Sequence, residues 1–175
     1  MQDNLTTFFY NYRKWLTVFA LGTIVLSAFL LRTGHISILL NAHDLKEAPI
    51  HADARQYIKY GYNLAYKNLY SMDFPSPNPK PDAFRSPGYP LLLALCMRLT
   101  DGPNFIPLIL YLQAILGTLT VILTYLLAKH FISDSLSLAA ALLVGMSPHL
   151  ITMSGYLLTE TLAGFLLVAA LLTYN

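Results

Sequence analysis

The chain has 175 residues, of which 55% are hydrophobic and 11% charged, with a formal net charge of +2 and a mean hydropathy of +0.51. That balance is too apolar and too poor in charge for an ordinary soluble domain and points to a membrane protein. A net charge this small, with no cluster of Lys and Arg, excludes nucleic acid as a partner, and the lone Cys96 cannot form an intramolecular disulfide, which leaves it a packing residue.

Trp15 to Leu31 is an uninterrupted apolar run, close to the lower length limit for crossing a hydrocarbon core about 30 Å thick. Arg13 and Lys14 precede it and Arg32 follows, so a first span is expected over 15–31. A secretory signal shares the basic start and apolar centre. This run is long for one, however, and no Ala-x-Ala cleavage site follows, which favours an uncleaved anchor. If Arg13 and Lys14 hold the amino terminus in the cytoplasm, the polar stretch 32–104 is a long outer loop.

Within that loop Asp53, Tyr57, Tyr60, Gly61 and Leu64 fall at spacings of three and four and predict a helix over 53–70, with Tyr62, Tyr66 and Tyr70 on a second stripe. A Tyr-rich amphipathic helix suits the head-group layer and packing against the protein's own core equally well. Pro75, Pro77, Pro79 and Pro81 exclude helix and predict an extended, polyproline-like spacer. Leu91–Leu99, after Pro90, is too short to span and predicts an interfacial helix.

Phe105–Ala128 is long enough to cross and carries Gln113 as its strongly polar interior residue. Ser133-Asp134-Ser135 offers N-cap chemistry for a third span over 136–152, bent or ended by Pro148, and a fourth is expected over 157–174. The expected fold class is an all-α integral membrane protein with four transmembrane helices and interfacial helices in a long first outer loop. Its expected place is the plasma (inner) membrane, with the amino terminus cytoplasmic.

This topology brings Asp53 and Glu160 to one membrane face, where two carboxylates can share a divalent cation or divide the work of base and metal ligand. Each also has a plain role. A carboxylate at a helix start, as at Glu160, is favoured by about 0.3–1 kcal/mol, and Asp53 can cap its helix or pair with Arg55. Arg85 precedes Ser86-Pro87-Gly88-Tyr89-Pro90, whose backbone is sharply fixed; it can clamp a phosphate bidentately or snorkel as a membrane-edge arginine. His43, His51 and His149 match no metal-ligand spacing and read as surface or packing residues.

Taken in order, several stretches resemble the C-type, multi-spanning glycosyltransferases that use polyprenyl-phosphate-linked sugars. They are His51-Ala-Asp53-Ala-Arg55-Gln-Tyr57, Arg85-Ser-Pro-Gly-Tyr-Pro-Leu-Leu-Leu-Ala-Leu95, Leu116 to Lys129, Ser147-Pro148 and Leu158-Thr-Glu160-Thr-Leu162. That group includes protein mannosyltransferases, lipid A aminoarabinose transferases and lipopolysaccharide-core glycosyltransferases. The resemblance implies an inverting transfer of a sugar from a polyprenyl-phosphate donor to a hydroxyl on a lipid, glycan or protein, at the outer face. It implies Asp53 as catalytic base or metal-linked acid and Glu160 as second acid, with a divalent metal implicated in some members, for which Asp53 and Glu160 are the candidate ligands. Arg85, Tyr57 and Tyr89 would line the substrate. Members of the group are longer, so the chain is expected to be the amino-terminal part of such an enzyme. The rival readings are a transporter component, for which Gln113 and Gly145 are the mid-span hints, and a non-catalytic membrane fragment.

Overall fold

The computed structural model describes residues 2–42, 52–100 and 102–174. Among them the regular structure is all helical: α1 (Gln2–Ala42), α2 (Ala52–Lys67), α3 (Gly88–Leu99), α4 (Phe105–Ala128), α5 (Asp134–Met146), α6 (Pro148–Met153) and α7 (Glu160–Tyr174), with a 3-10 turn at Gly102–Asn104 before α4.

α4 is the central helix, packed by α1, α5 and α7, while α2 lies on α3 and α3 on the start of α4. Two apolar clusters show that α1 and α4 run antiparallel. Ala28 of α1 meets Val121 and Tyr125 of α4 and Ala141 of α5 in one cluster. Ile36, two turns further along α1, joins Ile106, Ile109 and Leu110 from the start of α4 in the other, which continues into α2 and α3 through Tyr57, Tyr89 and Leu93. Gly145 lies where α5 packs on α1, since a Cβ there would sit 3.4 Å from both Ala28 and Ile24, in ordinary contact.

Two helices are long and apolar enough to cross a membrane, Tyr12–Ala42 and Phe105–Ala128. At 1.5 Å per residue the first is about 46 Å long and the second about 36 Å, against a core of about 30 Å. The apolar helices α3, α5 and α7 are shorter.

The structure departs from the sequence reading in several places. α1 does not end at Leu31 but continues to Ala42, so the first eleven residues of the expected loop are helical. Arg32, read as a membrane-edge flank, is 1% exposed. α2 stops at Lys67 rather than 70, because Asn68 takes φ 52°, the left-handed conformation that ends helices and that Asn tolerates. The proline segment is not helical, as expected, but neither is it an extended spacer. It doubles back, with the Asp82 N–H donating to the Tyr70 carbonyl at 3.1 Å and Ser71 fully buried. The helix expected over 136–152 breaks at Ser147 into α5 and α6, and the last helix starts at Glu160 rather than 157. The bounds of α4 coincide with those expected. Of the three histidines named above, His43 and His51 lie outside the described residues.

Candidate functional site

Asp53, Gln56 and Tyr57 stand at i, i+3 and i+4 on the first turns of α2 and so share a face. Arg85 reaches that face from the segment before α3. Its Nη2 donates to Asp53 Oδ1 at 2.5 Å and its Nε to Gln56 Oε1 at 2.7 Å. Its guanidinium carbon lies 5.1 Å from the centre of the Tyr57 ring and 5.3 Å from that of Phe84, within cation–π range. Asp53 is the exposed partner, 58% against 22% for Arg85. A pair this open contributes about 0.2–1 kcal/mol. Its importance is geometric, because the guanidinium has a fixed place.

The doubled-back segment sets that place. The Tyr60 hydroxyl donates to the Asp82 carboxylate, which also accepts from the Met72 N–H at 2.7 Å. Tyr60 stacks on Tyr70 with centroids 4.3 Å apart, and the Tyr70 hydroxyl donates to the Arg85 carbonyl at 2.6 Å. Asn63 Nδ2 ties the same segment down by donating to the carbonyls of Ser71 and Asp73.

From Tyr57 the contacts run inward. Its ring meets Tyr89 edge-on at 5.4 Å, and the buried Tyr89 hydroxyl donates to Gln113 Oε1 at 2.6 Å. Gln113 Nε2 donates onward to the carbonyls of Ser154 at 3.0 Å and Tyr156 at 2.8 Å, joining α3, α4 and the turn that leads into α7. Burial holds the Tyr89 phenol well above its ordinary range, and the charges of Cys96, Glu160 and Tyr57 push it the same way, so it stays a protonated donor.

Glu160 opens α7 and lines a cavity of about 70 Å³ together with Arg32, Gly117, Thr120, His149 and Thr161. Arg32 is bonded to carbonyls: Nη1 donates to Ala28 at 3.0 Å and Gly145 at 3.1 Å, and Nη2 to Val144 at 3.5 Å. Ser147 leaves the helix at φ −60°, ψ 116° and Pro148 has no N–H, so the last carbonyls of α5 lack a backbone donor. Arg32 supplies one, from a helix 112 residues earlier in the chain. The absence of a side chain at Gly117 makes room for it, as a Cβ there would lie 2.8 Å from Arg32 Nε.

The family model for oligosaccharyl transferase STT3, N-terminal, matches residues 86–174, which run from the residue after Arg85 through α7. The chain belongs to the oligosaccharyl transferase STT3 family. This is a glycosyltransferase family of the C-type class and a membrane enzyme family, in keeping with the two long apolar helices. No curated protein and no solved structure matches the chain. Tyr89, Gln113 and Glu160 lie inside the segment that defines this STT3 chain, whereas Asp53, Tyr57 and Arg85 precede it.

Four of the five residues expected at the site, Asp53, Tyr57, Arg85 and Tyr89, form one connected set. Among the described residues no hydrogen bond or ion pair joins Glu160 to that set. It faces the Arg32 cavity, linked to the others by its electrostatic effect on Tyr89 and by Leu158 and Leu162, which pack on the core that holds Tyr57 and Tyr89. As to a divalent metal, no three His, Cys, Asp or Glu side chains come together among the described residues, and one oxygen of Asp53 is taken by Arg85. The described residues therefore do not complete a metal site. Three members of the site escaped the sequence reading. Gln56 could have been found from its spacing to Asp53; Phe84 and Arg32 could not, since both depend on how distant segments fold together.

Proposed function

We propose that this STT3-family chain takes part in inverting transfer of a sugar from a polyprenyl-phosphate-linked donor to a hydroxyl acceptor at the outer face of the plasma membrane. In this reading α1, α4, α5 with α6, and α7 are four spans, with the amino terminus in the cytoplasm. The α2–α3 layer then covers the outer end. Asp53 is the base: its Oδ2, the oxygen not bonded to Arg85, takes the proton from the acceptor hydroxyl as that oxygen bonds to the anomeric carbon. The bond from that carbon to the phosphate oxygen breaks on the opposite side, and the phosphate leaves with the electron pair beside Arg85. Glu160 is the second carboxylate of the site, and Tyr57 and Tyr89 form its wall.

The observation that carries this reading is the Arg85–Asp53 pair, oriented by Gln56 and two aromatic rings and leading through Tyr89 into the family-matched segment. It supports the reading because a carboxylate able to act as base stands beside a cation able to meet a departing phosphate. The rival transport reading loses its two hints: the Gln113 amide is saturated by Tyr89, Ser154 and Tyr156, and Gly145 is a helix-packing position.

The test is sugar transfer from a labelled polyprenyl-phosphate donor in membranes holding the intact gene product. Asp53→Asn is expected to lower the rate by about 10²–10⁴-fold at unchanged expression. An unchanged rate would refute the base assignment.

A further inference from the structure

At the end of the bundle opposite α2 and α3, α1, α4 and α5 enclose a second and larger cavity, of about 460 Å³. It is lined by Arg13, Lys14, Thr17 and Val18 of α1, Tyr125 and Lys129 at the end of α4, and Asp134 at the start of α5. Three cations thus face one carboxylate. Lys129 Nζ lies 3.3 Å from Asp134 Oδ1 and 5.4 Å from the Tyr125 ring centre, so one positive charge is balanced. Arg13 and Lys14 have no acidic partner among the described residues.

We propose that this cavity binds the phosphate head group of an anionic membrane lipid. Tyr12 and Trp15, 56% and 72% exposed on the same turn as Arg13 and Lys14, mark the level of the membrane interface, where aromatic rings collect and lipid phosphates lie. Basic pockets between transmembrane helices at that level are built to take such head groups. Below the cations α1 presents Leu16 and Phe19, both exposed, along which an acyl chain can run into the bilayer. A dissolved anion would gain nothing from that apolar wall, so the occupant is a lipid. This site does not depend on the glycosyl-transfer reading.

The experiment uses the whole chain in nanodiscs of phosphatidylcholine mixed with phosphatidylglycerol. After transfer to detergent, native mass spectrometry counts the lipid molecules that remain bound. Selective retention of phosphatidylglycerol is expected. Neutralising Arg13→Gln, Lys14→Gln and Lys129→Gln should weaken it by about five-fold per charge, the equivalent of about 1 kcal/mol each. Asp134→Asn releases Lys129 and should strengthen retention, which decides the matter even if the triple variant fails to fold. Equal retention of the two lipids overturns the proposal, as does indifference to both the triple variant and Asp134→Asn. Displacement of the lipid by inorganic phosphate at matched concentration would show a free-anion site and overturn it too.

Discussion

Single residues at this site are held by hydrogen bonds that leave little slack, and Gln113 makes three of them. Replacing it with Leu keeps the volume but strands the Tyr89 hydroxyl and the Ser154 carbonyl, so a loss of about 2–3 kcal/mol is expected, read as a lower melting temperature in detergent. Tyr89 gives a pH signature. Its phenol ionises less readily folded than unfolded, so its contribution is complete below the unfolded value near 10 and is lost as pH rises toward the folded value. The melting-temperature gap between the wild type and Tyr89→Phe should therefore be constant up to about pH 9 and narrow above about pH 10. A gap that widens there would mean the phenol is not the buried donor described. Gly117→Ala tests Arg32 in the same way. The new methyl would crowd a guanidinium pinned to three carbonyls, with an expected cost of about 1–3 kcal/mol in the same melting assay.

Between elements, arginines do the joining. Arg98 of α3 donates to the carbonyls of Ala65 at 2.9 Å and Leu64 at 3.3 Å and to Asn68 Oδ1 at 2.7 Å, closing the carboxy end of α2 as Arg32 closes that of α5. A cation at the negative end of a helix dipole is favoured on both counts, charge and unpaired carbonyls. Between those ends α2 and α3 meet at Gly61, where a Cβ would stand 2.9 Å from that of Leu93. Gly61→Leu should push the two helices apart, and faster amide hydrogen exchange confined to α2 and α3 would report it; uniform exchange across the chain would contradict the packing. These contacts also explain what the sequence could and could not reveal. The bounds of α4 and the shared face of Asp53 and Tyr57 follow from local periodicity, because the apolar run and the three–four spacing lie within one segment. The extension of α1 past Arg32 does not. A charged residue after 17 apolar ones looks like a membrane edge until the carbonyls of Val144 and Gly145 are placed beside it. The fold of the proline segment was hidden for a similar reason: prolines forbid a helix, but the doubling back depends on Tyr60, Asn63 and Asp82 meeting across the chain.

At the scale of the whole molecule, the two ends of the bundle differ in chemistry. One carries the Asp53–Arg85 pair on the α2–α3 layer, and the other carries Arg13, Lys14 and Lys129. Among the described residues only α1 and α4 are long and apolar enough to cross a membrane; α5 is about 20 Å long and α7 about 22 Å. Whether α5 with α6, and then α7, carry the chain across is decided by which side Ser135 and Thr159 face. Cys96 is 2% exposed and burial pushes its thiol up, so it is silent toward maleimides and the native chain serves as the background. In sealed vesicles of known orientation, a membrane-impermeant maleimide should label Ser86→Cys and Thr159→Cys from one side, and Ser135→Cys only after permeabilisation. Labelling of Ser135→Cys and Thr159→Cys from the same side would turn α5 and α6 into a re-entrant hairpin. Glu160 would then lie on the face opposite Asp53, and a two-carboxylate site would be impossible.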